Sequence, residues 1–392
     1  MQDLQTKPPF MGNLTPSTTL AMTAKAKKLK AEGKDVLSMS AGEPDFDTPA
    51  HISAAAVKAL NEGKTKYTPA SGELALRQAV ADKLVKDNAV PATAATVIVA
   101  PGAKYSCFTA VAALCGQGDE VIIPTPFWVS YPEMVSMAGA KSVFLPTSPA
   151  NNYEVVPAEL EAAITPRTKL LILNSPSNPT GAVYRKATLE KIAAIAVKHN
   201  IMVMADEIYE KLTYDADFPH VSIASLGKEI AALTITVNGF SKAYSMTGWR
   251  LGYLTGPEWL IKRVDALQSH TTSNPTTFAQ YGALAALTGP QGPVEEMRLA
   301  FAKRRDLIYK LMSSIPGVKC VRPQGAFYIL CDISSFGVPS LPFCERLLAE
   351  GLVAAVPGDA FGAEGTIRLS YACSDEHIKT ACERIKKFTE SL

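Results

Sequence analysis

The sequence predicts an α/β fold, a mostly parallel sheet covered by helices and followed by a smaller second domain. Three observations carry this. Between about residues 49 and 287, short aliphatic or β-branched runs alternate with longer helical stretches, as in strands joined by crossover helices. Four of the runs end in loops rich in Gly, Pro, Asn, Ser or Asp, where α/β proteins gather their chemistry. Gly289-Pro290-Gln291-Gly292-Pro293 then breaks the alternation. The 392 residues, 47% hydrophobic and 19% charged, suffice for two domains with a large buried core.

The totals exclude several classes of function. A net charge of +2 and a pI near 8.0 give no reason to expect nucleic acid or an anionic membrane as partner. The seven cysteines are odd in number and lack C-x-x-C spacing, which fits reduced thiols. The five histidines are dispersed along the chain, so no metal site is expected. No apolar run approaches the roughly 18 residues needed to span a bilayer. Met1-Gln2-Asp3-Leu4-Gln5-Thr6-Lys7 lacks the apolar core of a secretory signal, so a cytoplasmic location is expected, with a removed targeting peptide left open.

Residues 18–32, rich in Ala and Lys, read as a surface helix with a solvated lysine face, and 36–40 as a short strand. Ala41-Gly42-Glu43-Pro44-Asp45 is loop and 49–62 helical. Tyr67 lies in the next loop, where packing is its plainer use. Strand 96–100 turns through Pro101-Gly102-Ala103-Lys104 into an apolar helix ending near Leu114. Open N–H groups at such a helix start form an anion site, although an ordinary tight turn looks the same. Gly116-Gln117-Gly118 has Val121 where a dinucleotide fingerprint needs a third Gly, and no Walker-type motif occurs.

At the end of strand 120–124, Trp128 could stack on a pyridine ring or pack in a core; Tyr131 is the weaker choice. Strand 169–173 leads to Asn174-Ser175-Pro176-Ser177-Asn178-Pro179, whose prolines fix the backbone around the Asn178 amide. Helix 188–199 and strand 201–205 lead to Asp206-Glu207-Ile208-Tyr209. Asp206 is either a helix N-cap or a carboxylate that keeps a pyridine nitrogen protonated.

Lys242 follows the run Leu233-Thr234-Ile235-Thr236-Val237 and should stand at a strand end. A lysine there can form an imine with a carbonyl once a dry or basic pocket lowers its pKa. Ser241 and Arg250 flank it with a hydroxyl and a fixed cation, which suit a phosphate. An imine-forming lysine beside a phosphate site suggests pyridoxal 5'-phosphate; taken alone, Lys242 reads as a solvated loop lysine. Further on, 294–312 is a charged helix, and 326–330 and 366–371 are strands. Arg368 stands in the last of these among apolar and small residues, where it needs a structural ion pair or a ligand carboxylate.

Six motifs follow one another over nearly the whole length: Gly42-Glu43-Pro44-Asp45-Phe46, Tyr67-Thr68-Pro69, Ser175-Pro176-Ser177-Asn178-Pro179-Thr180-Gly181, Asp206-Glu207-Ile208-Tyr209, Ser241-Lys242 with Gly248-Trp249-Arg250, and Arg368-Leu369-Ser370-Tyr371-Ala372. Together they resemble the class I (fold type I) pyridoxal-phosphate-dependent aminotransferases. The likeness is to the bacterial-type (class Ib, or Iγ) aspartate aminotransferases, a group that includes enzymes acting on prephenate. The resemblance implies a large domain over 49–290 with a mostly parallel seven-stranded sheet. A smaller α+β domain would comprise 291–392 with part of 1–48, which also supplies an N-terminal arm.

The same resemblance implies roles for individual residues. Lys242 would bind the cofactor aldehyde and act as the proton-moving base, Asp206 would face the pyridine nitrogen, and Asn178 and Tyr209 would bond the phenolic oxygen. Gly102, Ala103, Lys104, Ser241 and Arg250 would hold the phosphate, joined by Tyr67 from a second copy of the chain, and Trp128 would cover the ring. Arg368, Asn178 and the Gly42 N–H would orient the substrate carboxylate. Lys104 would serve acidic substrates, accompanied by Thr19 in prephenate-using members. Thr271-Thr272-Ser273-Asn274-Pro275 lacks the arginine that vertebrate-type relatives use for the distal carboxylate. The implied enzyme is a homodimer that moves the amino group of L-aspartate or L-glutamate to a 2-oxo acid such as 2-oxoglutarate by a ping-pong route, with prephenate as a further acceptor. Aromatic or alanine aminotransferases, β-lyases and a non-catalytic pyridoxal-phosphate-binding regulator are the alternatives on this fold.

Overall fold

The computed structural model describes Leu14 and residues 16–392, so the reading of residues 1–7 lies outside the described residues. After a short strand β1 (Leu37–Ser38), the large sheet is built from β2 (Val97–Ala100), β3 (Glu120–Thr125), β4 (Lys141–Pro146), β5 (Thr168–Asn174), β6 (Met202–Asp206), β7 (Thr234–Gly239) and β8 (Gly252–Thr255). Their spatial order is β2-β8-β7-β6-β5-β3-β4. β8 runs antiparallel to both of its neighbours, and every other pairing is parallel. The expected mostly parallel, seven-stranded α/β sheet is therefore present.

Strand side chains alternate between faces, so both faces can be apolar only if both are covered. Val121, Ile123, Leu170, Ile172, Met204, Ile235 and Val237 fill one core. Their neighbours Ile122, Leu171, Leu173, Val203 and Ala205 fill a second on the other side. Parallel β5, β6 and β7 all end at one edge, with Asn174 opposite Asp206 and Asp206 opposite Val237. This register brings loops far apart in sequence together at the carboxyl ends of the strands.

The second layer contains β9 (Lys319–Cys320), β10 (Tyr328–Asp332), β11 (Val353–Ala354), β12 (Val356–Pro357) and β13 (Thr366–Ser370). Four of these form a sheet in the order β12-β13-β10-β9, while β11 pairs in parallel with β1. Their core joins Met22, Ala26, Val36 and Met39 to Phe301, Ile308, Phe343 and Ile385. The helix Thr18–Ala31 thus buries Met22 and Ala26 while its lysines face solvent.

One local expectation is corrected, and two strands went unread. The strand expected over 326–330 is Tyr328–Asp332, because Ala326 has φ +56° and donates its N–H across to Leu212 instead of joining the ladder. Strands β4 and β8 were not legible. β4 is an edge strand largely open to solvent, and β8 is four residues hidden behind the Trp249-Arg250 motif.

Gly252 in β8 lies against the start of the Ala103–Leu114 helix: a Cβ there would meet the Ala103 N at 2.3 Å and the Gly102 carbonyl carbon at 2.6 Å. Both are backbone atoms, so nothing can rotate away. Gly252→Ala should cost about 3 kcal/mol in chemical denaturation, because overpacking against fixed backbone forces strand and helix apart. Gly116→Ala, with nothing within 4 Å, should stay within about 0.5 kcal/mol.

Candidate active site

Past the end of β7, Phe240 and Ser241 are buried and Lys242 turns back into the crevice between the two layers. Its ammonium donates to the Gly42 carbonyl and stands 5.9 Å and 5.7 Å from the Tyr209 and Phe327 ring centroids. Burial, assisted by the positive charges of Arg368 and Arg250 and opposed by Glu43 and Asp206, brings the Lys242 pKa down to about 8. Lys242 is therefore not an ordinary loop lysine.

Asp206 ends β6 and is 4% exposed. One of its oxygens accepts the Tyr131 hydroxyl at 2.7 Å and lies 3.7 Å from the Cys107 sulfur; the other accepts the Ile208 N–H at 3.2 Å. Burial pushes the carboxyl above its ordinary pKa, opposed by those donors. No basic side chain forms an ion pair with it among the described residues. The neighbouring Asn174 donates to the Asp206 carbonyl and accepts the Asn178 N–H, tying the β5 and β6 loops together.

Arg368 is 2% exposed on β13, directly opposite Leu330 of β10. It donates to the Asn178 side-chain oxygen at 3.0 Å and to the Ser40 carbonyl at 2.9 Å, and its guanidinium faces the Tyr328 ring at 4.4 Å. Its Nε has no partner, and no carboxylate pairs with it among the described residues. Among the described residues no structural ion pair accounts for its place in the interior. A buried cation held only by neutral acceptors is ready for an incoming anion.

The Ala103–Leu114 helix starts after Gly102, which has φ +88° and provides no side-chain cap; the Tyr105 N–H turns back to the Gly102 carbonyl, and the Ala103 and Lys104 amides stay open. A Cβ on Gly102 would lie 2.6 Å from an Arg250 nitrogen, which places the guanidinium against this helix start. Arg250 also donates to the Thr247 carbonyl, and Ser241 is buried nearby in sequence. Lys104 points outward, its ammonium 5.0 Å from the Trp128 ring centroid, and burial and then Arg250 lower its pKa. A cavity of about 640 Å3 opens beside Lys104 and Arg250, lined also by Pro16, Phe108, Phe127 and Met134.

The fold thus brings Lys242, Asp206, Tyr209, Asn178, Arg368 and Gly42 around one crevice, with Gly102, Ala103 and Arg250 at a helix start beside it. Tyr209 shares a 2.9 Å hydrogen bond with the Tyr328 hydroxyl. Thr19 lies on the Thr18–Ala31 helix, its buried hydroxyl unpartnered. Thr23, one turn on, bonds the Thr19 carbonyl and the hydroxyl of Ser40, whose carbonyl holds Arg368. Tyr67 is not brought to this crevice; it is 91% exposed.

Sequence reasoning weighed Tyr131 only as a stacking ring and missed Cys107, Tyr328 and Ser40. It also missed a buried charged cluster behind β6. There Glu207 faces His220 at 3.1 Å, and Glu210 takes Lys83 and, at 2.6 Å, Asn88. The ligand atoms of Glu207, Glu210 and His220 lie within 4.8 Å of one another, but the Lys83 ammonium already supplies a cation there. Burial pushes the Glu210 carboxyl up, and Lys83 and His220 more than offset this, taking it down to about 2.

A family model for aminotransferase class I and II matches residues 34–385. An aspartate aminotransferase of Geobacillus stearothermophilus is 50% identical over 386 residues, 97% of this chain and 98% of the relative. An aspartate/prephenate aminotransferase of Cereibacter sphaeroides is 44% identical, covering 97% and 98% of the two chains. The solved structure of the Thermus thermophilus aspartate aminotransferase with maleate superposes with a TM-score of 0.94 at 44% identity, over 98% of this chain and 100% of that one.

The lowered Lys242 pKa can be read directly. In ligand-free protein, acylation of Lys242 followed by peptide mass mapping should rise to a plateau through about pH 8, because only the neutral amine reacts. A rate still climbing near the ordinary lysine value of about 10.4 would contradict the burial described.

Proposed function

The chain belongs to the class I and II aminotransferases, and on that premise we propose that it moves the amino group of L-aspartate or L-glutamate to 2-oxoglutarate, with prephenate as a further acceptor. That it is a pyridoxal 5'-phosphate-dependent aminotransferase follows from its family and relatives. The residues present fit that cofactor. A buried carboxylate without a basic partner suits a ring N–H, an uncapped helix start beside Arg250 suits a phosphate, and the low-pKa Lys242 amine suits an aldehyde. When bound, pyridoxal phosphate supplies the aldehyde that links to amino groups and a ring that draws electrons from the substrate's Cα.

In this reading, Gly102, Ala103, Lys104, Ser241 and Arg250 hold the phosphate. Asp206 faces the ring nitrogen, and Asn178 and Tyr209 bond the phenolic oxygen. The Arg368 bond to the Asn178 side-chain oxygen fixes the orientation of that amide and leaves its NH2 group to donate there. Arg368 then clamps the substrate α-carboxylate with the Gly42 N–H, and Trp128 covers the ring. Lys242 Nζ takes the Cα proton and holds it for the next transfer, a task that suits an amine with a pKa near 8. The two half-reactions share one crevice, so donor and acceptor enter in turn and kinetics are ping-pong.

The observation that carries this reading is the interior Arg368 guanidinium with no carboxylate of its own, opening on the same crevice as Lys242. Preference for acidic substrates is supported by the outward Lys104 ammonium and by the relatives' names. The Thr19 hydroxyl, buried without a partner on the helix whose Thr23 bonds Ser40, supports the prephenate branch. The exposure of Tyr67 supports a homodimer in which this ring reaches the other subunit's phosphate. Largely separate cores, bridged where Ile208, Tyr209 and Leu212 pack into the smaller one, support a large unit over 49–290 and a small one from 291–392 with part of 1–48. A cytoplasmic location is part of the same reading; among the described residues no helix is long and apolar enough to cross a membrane.

Mixing holoprotein with single amino acids and following the cofactor absorbance tests the reading. Aspartate and glutamate should convert it to the amine form. Arg368→Met should lose about 100-fold or more in kcat/KM for every amino acid, the worth of a buried charge-assisted pair. Lys104→Ala should lose about tenfold for aspartate and glutamate and leave uncharged amino acids unaffected. Pyruvate release from cystathionine without amine-form cofactor would instead indicate a β-lyase.

A further inference from the structure

We propose that Tyr131 and Cys107 are positioning residues for the cofactor's ring nitrogen, two donors on one Asp206 oxygen that keep the carboxylate ionised and aim its other oxygen at the ring. The inference rests on the reading that Asp206 faces that nitrogen, and assigns work to two side chains that reading leaves idle.

The geometry is specific. The two donors come from separate helices, Cys107 from Ala103–Leu114 and Tyr131 from Ser130–Met137, and both are buried. Their hydrogens converge on Oδ2, at 2.7 Å from the Tyr131 oxygen and 3.7 Å from the Cys107 sulfur. Among the described residues Oδ1 takes only the Ile208 N–H, at 3.2 Å, and keeps a lone pair for a further donor. The Tyr131 ring also stands edge-on to Trp128, centroids 5.3 Å apart, so one residue fixes both the acid and the aromatic assigned to cover the ring.

A carboxyl in this place must not take up a proton, since it would then cease to hold a protonated ring nitrogen. Burial works against it, as does the charge of Glu207 next in the chain. Lys242 across the crevice favours its charge, and Tyr209 faces it as a neutral phenol. Tyr131 and Cys107 offset the burial, and burial together with Asp206 keeps both of them protonated as donors. The thiol is the weaker donor, so most of the effect belongs to Tyr131.

The test compares apoprotein binding of pyridoxal 5'-phosphate with that of 1-deazapyridoxal 5'-phosphate, which has carbon in place of the ring nitrogen. Tyr131→Phe should weaken the natural cofactor about tenfold and Cys107→Ala about two- to threefold, with the double variant weaker than either. Cys107→Ser should restore the second loss. Affinity for the deaza analogue should stay within about twofold throughout, a split that a packing role does not produce. The sign with pH is fixed: losing donors raises the Asp206 pKa, so the deficit should grow as pH falls through the mildly acidic range. Equal losses for both ligands, or no loss in the double variant, overturn the proposal. Wild-type protein that fails to bind the natural cofactor, or binds it away from Lys242 after borohydride trapping, overturns the functional reading instead.

Discussion

A guanidinium in the interior without a counter-charge is the constraint around which the crevice is arranged. Removing such a charge from water costs several kcal/mol, about what an ion pair would return if one were present. Here the compensation is partial, from the Asn178 amide oxygen, the Ser40 carbonyl and the faces of Tyr328 and Phe361. Each of these comes from a different part of the chain. Holding Arg368 therefore fixes the β5 loop, the segment after β1 and the β10 strand relative to one another. The folded protein carries an unmet electrostatic demand among its described residues, one that the substrate's carboxylate meets in the function proposed above.

A second balance of charge lies on the far side of β6. Residues 206 and 209 face the crevice, whereas 207 and 210 face away into the Lys83, Asn88 and His220 cluster. One short stretch is thus gripped from both sides. On the crevice side its groups are few and neutral donors predominate; on the other side acids and bases are matched within hydrogen-bonding distance. That separation keeps two carboxylates from adding their full charge to that of Asp206.

Lys242, Asp206, Asn178 and Arg368 were legible because each sits at a strand end or in a strand whose apolar neighbours make the polar residue conspicuous. The parallel sheet apart from β4 was legible for the same reason, since its other parallel strands are continuous apolar runs. What could not be read were partnerships between distant positions. Tyr131 and Cys107 reach Asp206 across 75 and 99 residues, and Tyr328 reaches Tyr209 across 119. In the sequence Tyr131 is one aromatic among several and Cys107 one small residue on an apolar helix. The charged cluster behind β6 escaped notice because its members come from the Leu74–Asn88 helix, the turn after β6 and residue 220.

The pairing of β1 with β11, and the packing of Met22, Ala26, Val36 and Met39 among residues of the last quarter of the chain, bear on how the molecule is made. A ribosome releases the first of these segments long before the last exists, at roughly 5–20 residues per second. Until then the Thr18–Ala31 helix has no apolar surface to lie on, while the large sheet can already close. Newly synthesised chains should pass through a stage in which one layer is finished and its neighbour waits with apolar side chains bare, the stage at which chaperones would find a handhold.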